Sequence, residues 1–246
     1  MNNYLITIEY DGSNYVGWQR QKNGISVQEI IEKKIQKILK TNIKIIGSGR
    51  TDKGVHARAQ SANFLTVKKI HEKKKFLNSI NFFLNKKLIS IIDIKLKSKK
   101  FHARFSAKKR IYNYVIFNRN ISPSIYINRG WHIKKKLDIK LMKKGAKILE
   151  GTHDFSTYRS SKCSAKNPVR KIDFIKIKKI KSKIEIKFKS QSFLQQQVRS
   201  MVGCLKYLGE NKWNLKVFRN VLNLKKRKLC APPAPAYGLY LEKVIY

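Results

Sequence analysis

A cation and a carboxylate, Arg50 and Asp52, stand two residues apart in the stretch Gly47-Ser48-Gly49-Arg50-Thr51-Asp52-Lys53-Gly54-Val55-His56. Alternating apolar runs flank it, Ile43-Lys44-Ile45-Ile46 before and Ser61-Ala62-Asn63-Phe64-Leu65-Thr66-Val67 after. Both read as strands, so the stretch is expected to be a loop held at the end of a sheet. Gly47, Gly49 and Gly54 permit positive φ and close backbone approach. A carboxylate on such a loop can act on a molecule that enters a cleft. The stretch is not a phosphate loop, because Val55 stands where the lysine belongs, nor a dinucleotide fingerprint, because Asp52 takes the third glycine position. On spacing alone, an ordinary turn in which Asp52 caps an amide or pairs with Arg50 fits equally well.

Further motifs run the length of the chain. They are Tyr10-Asp11-Gly12 with Gly17-Trp18-Gln19, Phe101-His102-Ala103-Arg104-Phe105, Lys109-Arg110-Ile111-Tyr112-Asn113-Tyr114, His153-Asp154-Phe155, Pro168-Val169-Arg170, Phe193-Leu194 with Val198-Arg199, and Gly238-Leu239-Tyr240-Leu241. With Gly49-Arg50-Thr51-Asp52-Lys53-Gly54-Val55-His56-Ala57 at their centre, these motifs resemble, in order, those of the TruA family of tRNA pseudouridine synthases.

The resemblance implies an isomerase that detaches uracil from C1′ of a uridine, turns it, and rejoins it through C5. Neither a cofactor nor a metal is needed. Its substrate would be the tRNA anticodon arm, at positions 38, 39 and 40, and the enzyme would work as a homodimer. Asp52 would be the catalytic carboxylate, a nucleophile or an aid to proton removal. Burial alone would raise its pKa, so a nearby cation is required, and Arg199 is the candidate. Arg199 lies on a helix otherwise patterned for burial, where an unpartnered arginine is costly; the alternative is an arginine snorkelling from the helix edge. Gln197 departs from the family, which usually has an apolar residue there. Tyr112 matches the active-site tyrosine, whose ring can stack on the displaced uracil. Arg50 matches the arginine that holds the target nucleotide out of the stack, or else simply braces the loop. Leu239 lines a base pocket or is a core leucine. Arg20, Arg58, Arg104, Arg110 and Arg170 are candidates for phosphate contacts or for structural roles.

Composition agrees with a polyanionic partner. The 246 residues carry 56 lysines and arginines against 14 acidic side chains, a formal charge of +42. Part of that excess fits A/T-biased codon usage, given the crowding of Lys, Ile and Asn. Hydrophobic content of 42% is ordinary for a globular chain. Cys163, Cys204 and Cys230 share no metal-ligand spacing, the histidines are scattered, and Cys204 reads as a core residue in a helical pattern. No run approaches the roughly 18 apolar residues that span a bilayer, and the chain opens on a strand rather than a signal peptide, so a reduced, cytoplasmic protein is expected.

The elements that must hold these residues follow from periodicity. Strands are predicted over 3–10, 88–96, 109–117, 169–179, 183–190 and 237–246. Helices are predicted from the Ser26-Val27-Gln28-Glu29 capping box, over 72–84, 138–150 and 193–208. The polar, serine-rich stretch 156–167 reads as a mobile loop, and 231–236, with three prolines, as a stiff connector. An α+β class follows, with mainly antiparallel sheets in two halves, 1–105 and 106–246. The resemblance adds that the sheets join across a central RNA-binding cleft. A non-catalytic RNA-binding protein and a basic ribosome-associated protein are the competing readings. Asp52, Tyr112 and Arg199 together favour the enzyme, since a pure binder needs none of them as a set.

Overall fold

Alternation at the N-terminus produces β1 (Asn2–Tyr10) in the computed structural model, which describes all 246 residues. Buried Tyr4, Ile6 and Ile8 repeat at every second position, as a strand requires. Antiparallel β3 (His56–Thr66) and β4 (Ile89–Lys97) flank β1. The three-residue β2 (Ile45–Gly47) pairs antiparallel with β3, and β10 (Leu239–Ile245) pairs parallel with it through Tyr240↔His56. These strands, with α1 (Val27–Leu39) and α2 (Lys73–Leu84), belong to one compact unit, Met1–Lys108 with Tyr240–Tyr246.

Helix α1 forms because Val27, Ile31, Ile35 and Leu39 recur every four residues and bury one stripe. The Ser26 hydroxyl accepts from the Glu29 N–H at 3.2 Å, half of the expected capping box; the Glu29 carboxylate pairs with Lys33 at 2.7 Å. Phe76, Ile80 and Leu84 give α2 the same i, i+4 stripe.

In the second compact unit, Lys109–Leu239, four antiparallel strands are hydrogen-bonded in the order β5 (Lys109–Asn118), β9 (Lys183–Ser190), β8 (Val169–Ile180), β7 (Gly151–Asp154). A short β6 (Trp131–Ile133) pairs parallel with β5. Three helices pack together in this unit: α3 (Ile139–Leu149), α4 (Gln197–Gly209) and α5 (Leu215–Asn223). Ten of the thirteen residues of α4 are buried, so it is the unit's central helix. The class is α+β, as expected. No helix is long and apolar enough to cross a membrane.

Four local readings change. Helix α4 begins at Gln197 rather than 193, because Gln196 is left-handed (φ 62°) and interrupts the helical run. The Gln197 side chain then folds back to accept from the Leu194 N–H at 2.8 Å, so this departure from the family satisfies a buried main-chain donor ahead of the helix. Helix α5 was not anticipated, although Asn214 caps it and Phe218, Val221 and Leu222 bury its face. Within 156–167, Ser156–Tyr158 is a 3₁₀ turn with Thr157 and Tyr158 buried, and the Thr157 hydroxyl donates to the Val221 carbonyl at 2.8 Å. Finally, Tyr240–Tyr246 belongs with the first unit, whereas the sequence reading assigned all of 106–246 to the second half.

The Phe101-His102-Ala103 motif owes its place to buried amides. Asn63 on β3 donates to the Asn3 side-chain oxygen at 2.9 Å and accepts from the Ala103 N–H at 2.8 Å. Asn3 in turn donates to the Ser98 and Phe101 carbonyls, each at 2.9 Å. Asn63→Leu keeps the volume but strands the Ala103 N–H and the Asn3 oxygen. It is expected to cost about 2–4 kcal/mol in urea unfolding; an unchanged midpoint would show that this network does not hold the motif.

Candidate active site

The loop between β2 and β3 is fixed from both ends by its neighbours. At its start, the Ser48 N–H donates to the Ser61 carbonyl (2.8 Å) and its hydroxyl to the Gln60 side chain (2.7 Å). Gln60 also donates to the Gly49 carbonyl at 2.9 Å. At its centre, Thr51 is buried; its carbonyl accepts from the Trp18 N–H at 3.1 Å, and its hydroxyl meets the Tyr10 hydroxyl at 2.8 Å. A turn closes just beyond, with the Val55 N–H donating to the Asp52 carbonyl at 3.1 Å. Of the three glycines expected to need freedom here, only Gly54 takes positive φ (78°); Gly47 instead leaves room for the Trp18 indole. Asp52 is thereby half-buried and Arg50 exposed, on either side of the anchored Thr51.

At the exit stands a clasp that the sequence reading missed. His56 is buried, with Nδ1 3.0 Å from the Asp11 carboxylate and 3.1 Å from the Gly12 N–H. One nitrogen cannot donate to the first and accept from the second together. A proton on Nδ1 selects the bond to Asp11, and its absence selects the bond to Gly12. The same Asp11 oxygen accepts from the Ser13 N–H and hydroxyl, at 3.0 and 2.7 Å, which forms a turn at 11–13. Tyr240 stacks on the His56 ring, centroids 4.8 Å apart. Tyr10-Asp11-Gly12 and the signature histidine were the available signal; their pairing was not.

Tyr112 and Arg199 lie in the second unit, and Arg50 and Asp52 in the first. Tyr112, on β5, is largely buried and meets Phe193 edge-on at 5.3 Å. Arg199, on α4, is half-buried, and its Nε donates to the Ala234 carbonyl at 2.7 Å, a structural tie in place of simple snorkelling. Nearby, the Tyr114 hydroxyl donates to the Pro235 carbonyl at 2.9 Å. Burial, then Tyr237, push the Tyr114 phenol well above its usual pKa against the opposing charge of Arg199, so it stays a donor. Leu239 is buried.

Several arginines named for phosphate contact also have structural partners. Arg58 pairs with Glu242 at 3.1 Å and covers Tyr240; Arg170 donates to the Asn167 and Val169 carbonyls; Arg110 donates to the Gln191 carbonyl. Arg104 lies over Phe105, and Arg20 is exposed.

Known proteins resemble the whole chain. A family model described as tRNA pseudouridine synthase matches residues 6–106 and 146–246. A protein of Pelagibacter ubique named tRNA pseudouridine synthase A is 61% identical over 246 residues, covering all of both chains. Bearers of the same name from Beijerinckia indica (40% identical, all of this chain and 94% of that one) and Sinorhizobium fredii (42% over 248 residues, all of both) also match end to end.

Chemically, the loop offers a carboxylate whose main chain is already immobilised, so little reorganisation is needed when a substrate arrives. The closest backbone approach in this assembly is at Gly12, where a Cβ would lie 2.0 Å from the Val55 carbonyl oxygen. Both sides of that contact are main chain and cannot swing away. Gly12→Ala is therefore expected to destabilise the protein by about 2–4 kcal/mol. Chemical denaturation would measure this, and a loss under about 0.5 kcal/mol, the scale of a neutral surface change, would mean that the loop tolerates displacement.

Proposed function

Because the chain belongs to the family of tRNA pseudouridine synthases, we propose that it isomerises uridine to pseudouridine at positions 38, 39 and 40 of the tRNA anticodon arm, with Asp52 as the catalytic carboxylate. The observation that carries this reading is the end-to-end match, 61% identical, to a protein named tRNA pseudouridine synthase A. The placement of Asp52 on a loop pinned at Ser48, Thr51 and His56 supports it. The resemblance also suggests a homodimer working in the cytoplasm.

The reaction breaks the C1′–N1 bond, turns the uracil, forms a C1′–C5 bond, and moves the C5 proton to N1. Atoms and electrons balance within the nucleotide, so no redox or group-carrying cofactor enters. Asp52 acts in its ionised form, either by adding to C1′ or by assisting removal of a C2′ proton. Arg199 supplies the positive charge that keeps a desolvated carboxylate ionised. Tyr112 stacks on the free uracil, and Arg50 helps to hold the target nucleotide out of its stack. Extrusion costs a few kcal/mol, least in a single-stranded loop. The large positive charge supplies sequence-independent attraction to phosphates.

Two variants test the assignment, read by pseudouridine mapping on an unmodified tRNA transcript with no added cofactor. Asp52→Ala is expected to abolish product while tRNA affinity stays within about tenfold, because phosphate contacts dominate binding. Wild-type turnover by this variant removes Asp52 from the mechanism. Arg199→Ala removes a charge that favours the carboxylate form, so the acid limb of the pH–rate profile should move to higher pH. A profile that overlays the wild type would reject the electrostatic role.

A further inference from the structure

Helix α4 and the proline-rich connector run against each other in a close seam. At one end, the Arg199 Nε donates to the Ala234 carbonyl and the Ala234 N–H donates back to the Arg199 carbonyl, at 2.7 and 3.0 Å. In the middle, a Cβ on Gly203 would lie 2.1 Å from the Pro232 carbonyl oxygen. At the other end, the Cys204 and Cys230 sulfurs stand 3.5 Å apart, both thiols free. Sequence spacing hid this pair, because Cys204 reads as a core residue and Cys230 precedes the connector.

The two sulfurs are unequal. Cys204 is fully buried, and burial, then its bond to Cys230, push its thiol well above the usual pKa. Cys230 is half-buried, and its pKa is lowered: Cys204 hydrogen-bonds to it, and Arg227 adds positive charge against its own burial. Arg227 is held there by its bonds to the Ser200 hydroxyl (2.9 Å) and the Thr157 carbonyl (3.1 Å). A thiol of lowered pKa with a cation beside it and a second thiol in contact is the arrangement of a reactive and a resolving cysteine.

We propose that Cys204 and Cys230 are a modification site: a peroxide-oxidised pair that closes to a reversible disulfide and fastens the connector to α4. In the first step, the Cys230 thiolate takes an oxygen from hydrogen peroxide, giving a sulfenic acid and hydroxide. In the second, the Cys204 sulfur attacks the sulfenic sulfur, its proton leaves with the displaced hydroxyl as water, and the S–S bond forms. Two electrons pass from the two thiols to the peroxide. The sulfurs must close from 3.5 Å to the roughly 2.05 Å of a disulfide. The bond would fix the backbone segment that carries Ala234, the partner of Arg199. The inference is independent of any catalytic role for Arg199.

The test uses the purified full-length protein and dilute hydrogen peroxide. Free thiols, counted after denaturation, are expected to fall from the three in the chain to one, and dithiothreitol should restore all three. Non-reducing peptide mapping should find Cys204 joined to Cys230, with Cys163 left free and reacting at least tenfold more slowly. Cys204→Ala should leave a sulfenic acid on Cys230 that dimedone traps. Three surviving thiols, a bridge through Cys163, or loss that dithiothreitol does not reverse would each overturn the proposal. The wild-type thiol count and peptide map decide it even if Cys204→Ala does not fold.

Discussion

Everything the first unit offers to chemistry depends on holding Thr51. Its carbonyl and hydroxyl are taken up by Trp18 and Tyr10, whose rings in turn stack at 6.1 Å. Tyr10 ends β1, and Trp18 lies on the segment leading into α1, so a strand and a helix approach converge on one buried residue. A buried hydroxyl and carbonyl left unpaired would each cost about 1–3 kcal/mol. The loop therefore cannot drift without losing bonds that the core has no water to replace. The main chain of Asp52, one residue on, inherits that rigidity, and the His56–Asp11 clasp extends it to the start of β3. The site is precise because an uncharged, desolvated neighbour is over-determined.

In the second unit the constraint is different. An almost wholly buried helix, α4, carries a half-buried arginine, and a guanidinium without a partner there is costly. The connector resolves this by lending the Ala234 carbonyl to Arg199, while Tyr114 secures the next residue, Pro235. Its prolines suit the task. They limit the connector's freedom in the unfolded chain and leave carbonyls, but no proline N–H groups, to be satisfied. The same seam brings Cys230 to Cys204, so the position of the arginine and the contact of the thiols have one geometric cause.

Much of this was legible in the sequence wherever the signal is local. The i, i+4 stripes of α1 and α2, the Ser26 cap and the alternation of β1 stand in the order of the residues. So do the chemically capable types in the loop, Arg50 and Asp52. What could not be read depends on partners distant along the chain. The parallel pairing of β10 with β3 leaves no local trace, because a strand's pattern records which face is buried and not which neighbour it joins. Nothing beside His56 announces Asp11. Helix α4 was read four residues too early because apolar spacing continues through Phe193 and Leu194, while the left-handed Gln196 is a backbone fact. Composition failed at Thr157 and Tyr158, where a polar stretch is buried because its hydroxyl found a carbonyl on α5.

The charge of +42 and the architecture of the loop answer to different physics. Most lysines are exposed, and their mutual field is screened over about 10 Å at 0.1 M salt. Pairs such as Lys75–Glu72 or Lys95–Asp93, open to solvent on both sides, contribute little to stability. Attraction to a polyanion is thus unspecific and sensitive to ionic strength. The bonds around Ser48, Thr51 and Gln60 are short, mostly between neutral groups, and at buried residues, so salt scarcely reaches them. Acidic side chains are scarce, and the structure spends them locally: Asp138 caps α3, Glu32 receives the Ile45 N–H, and Asp11 secures His56. A chain can therefore gain or lose surface lysines under compositional drift, and with them affinity for RNA, without disturbing the carboxylate on the loop. Binding strength and bond-making are built from separable interactions, and only the second requires residues at fixed places.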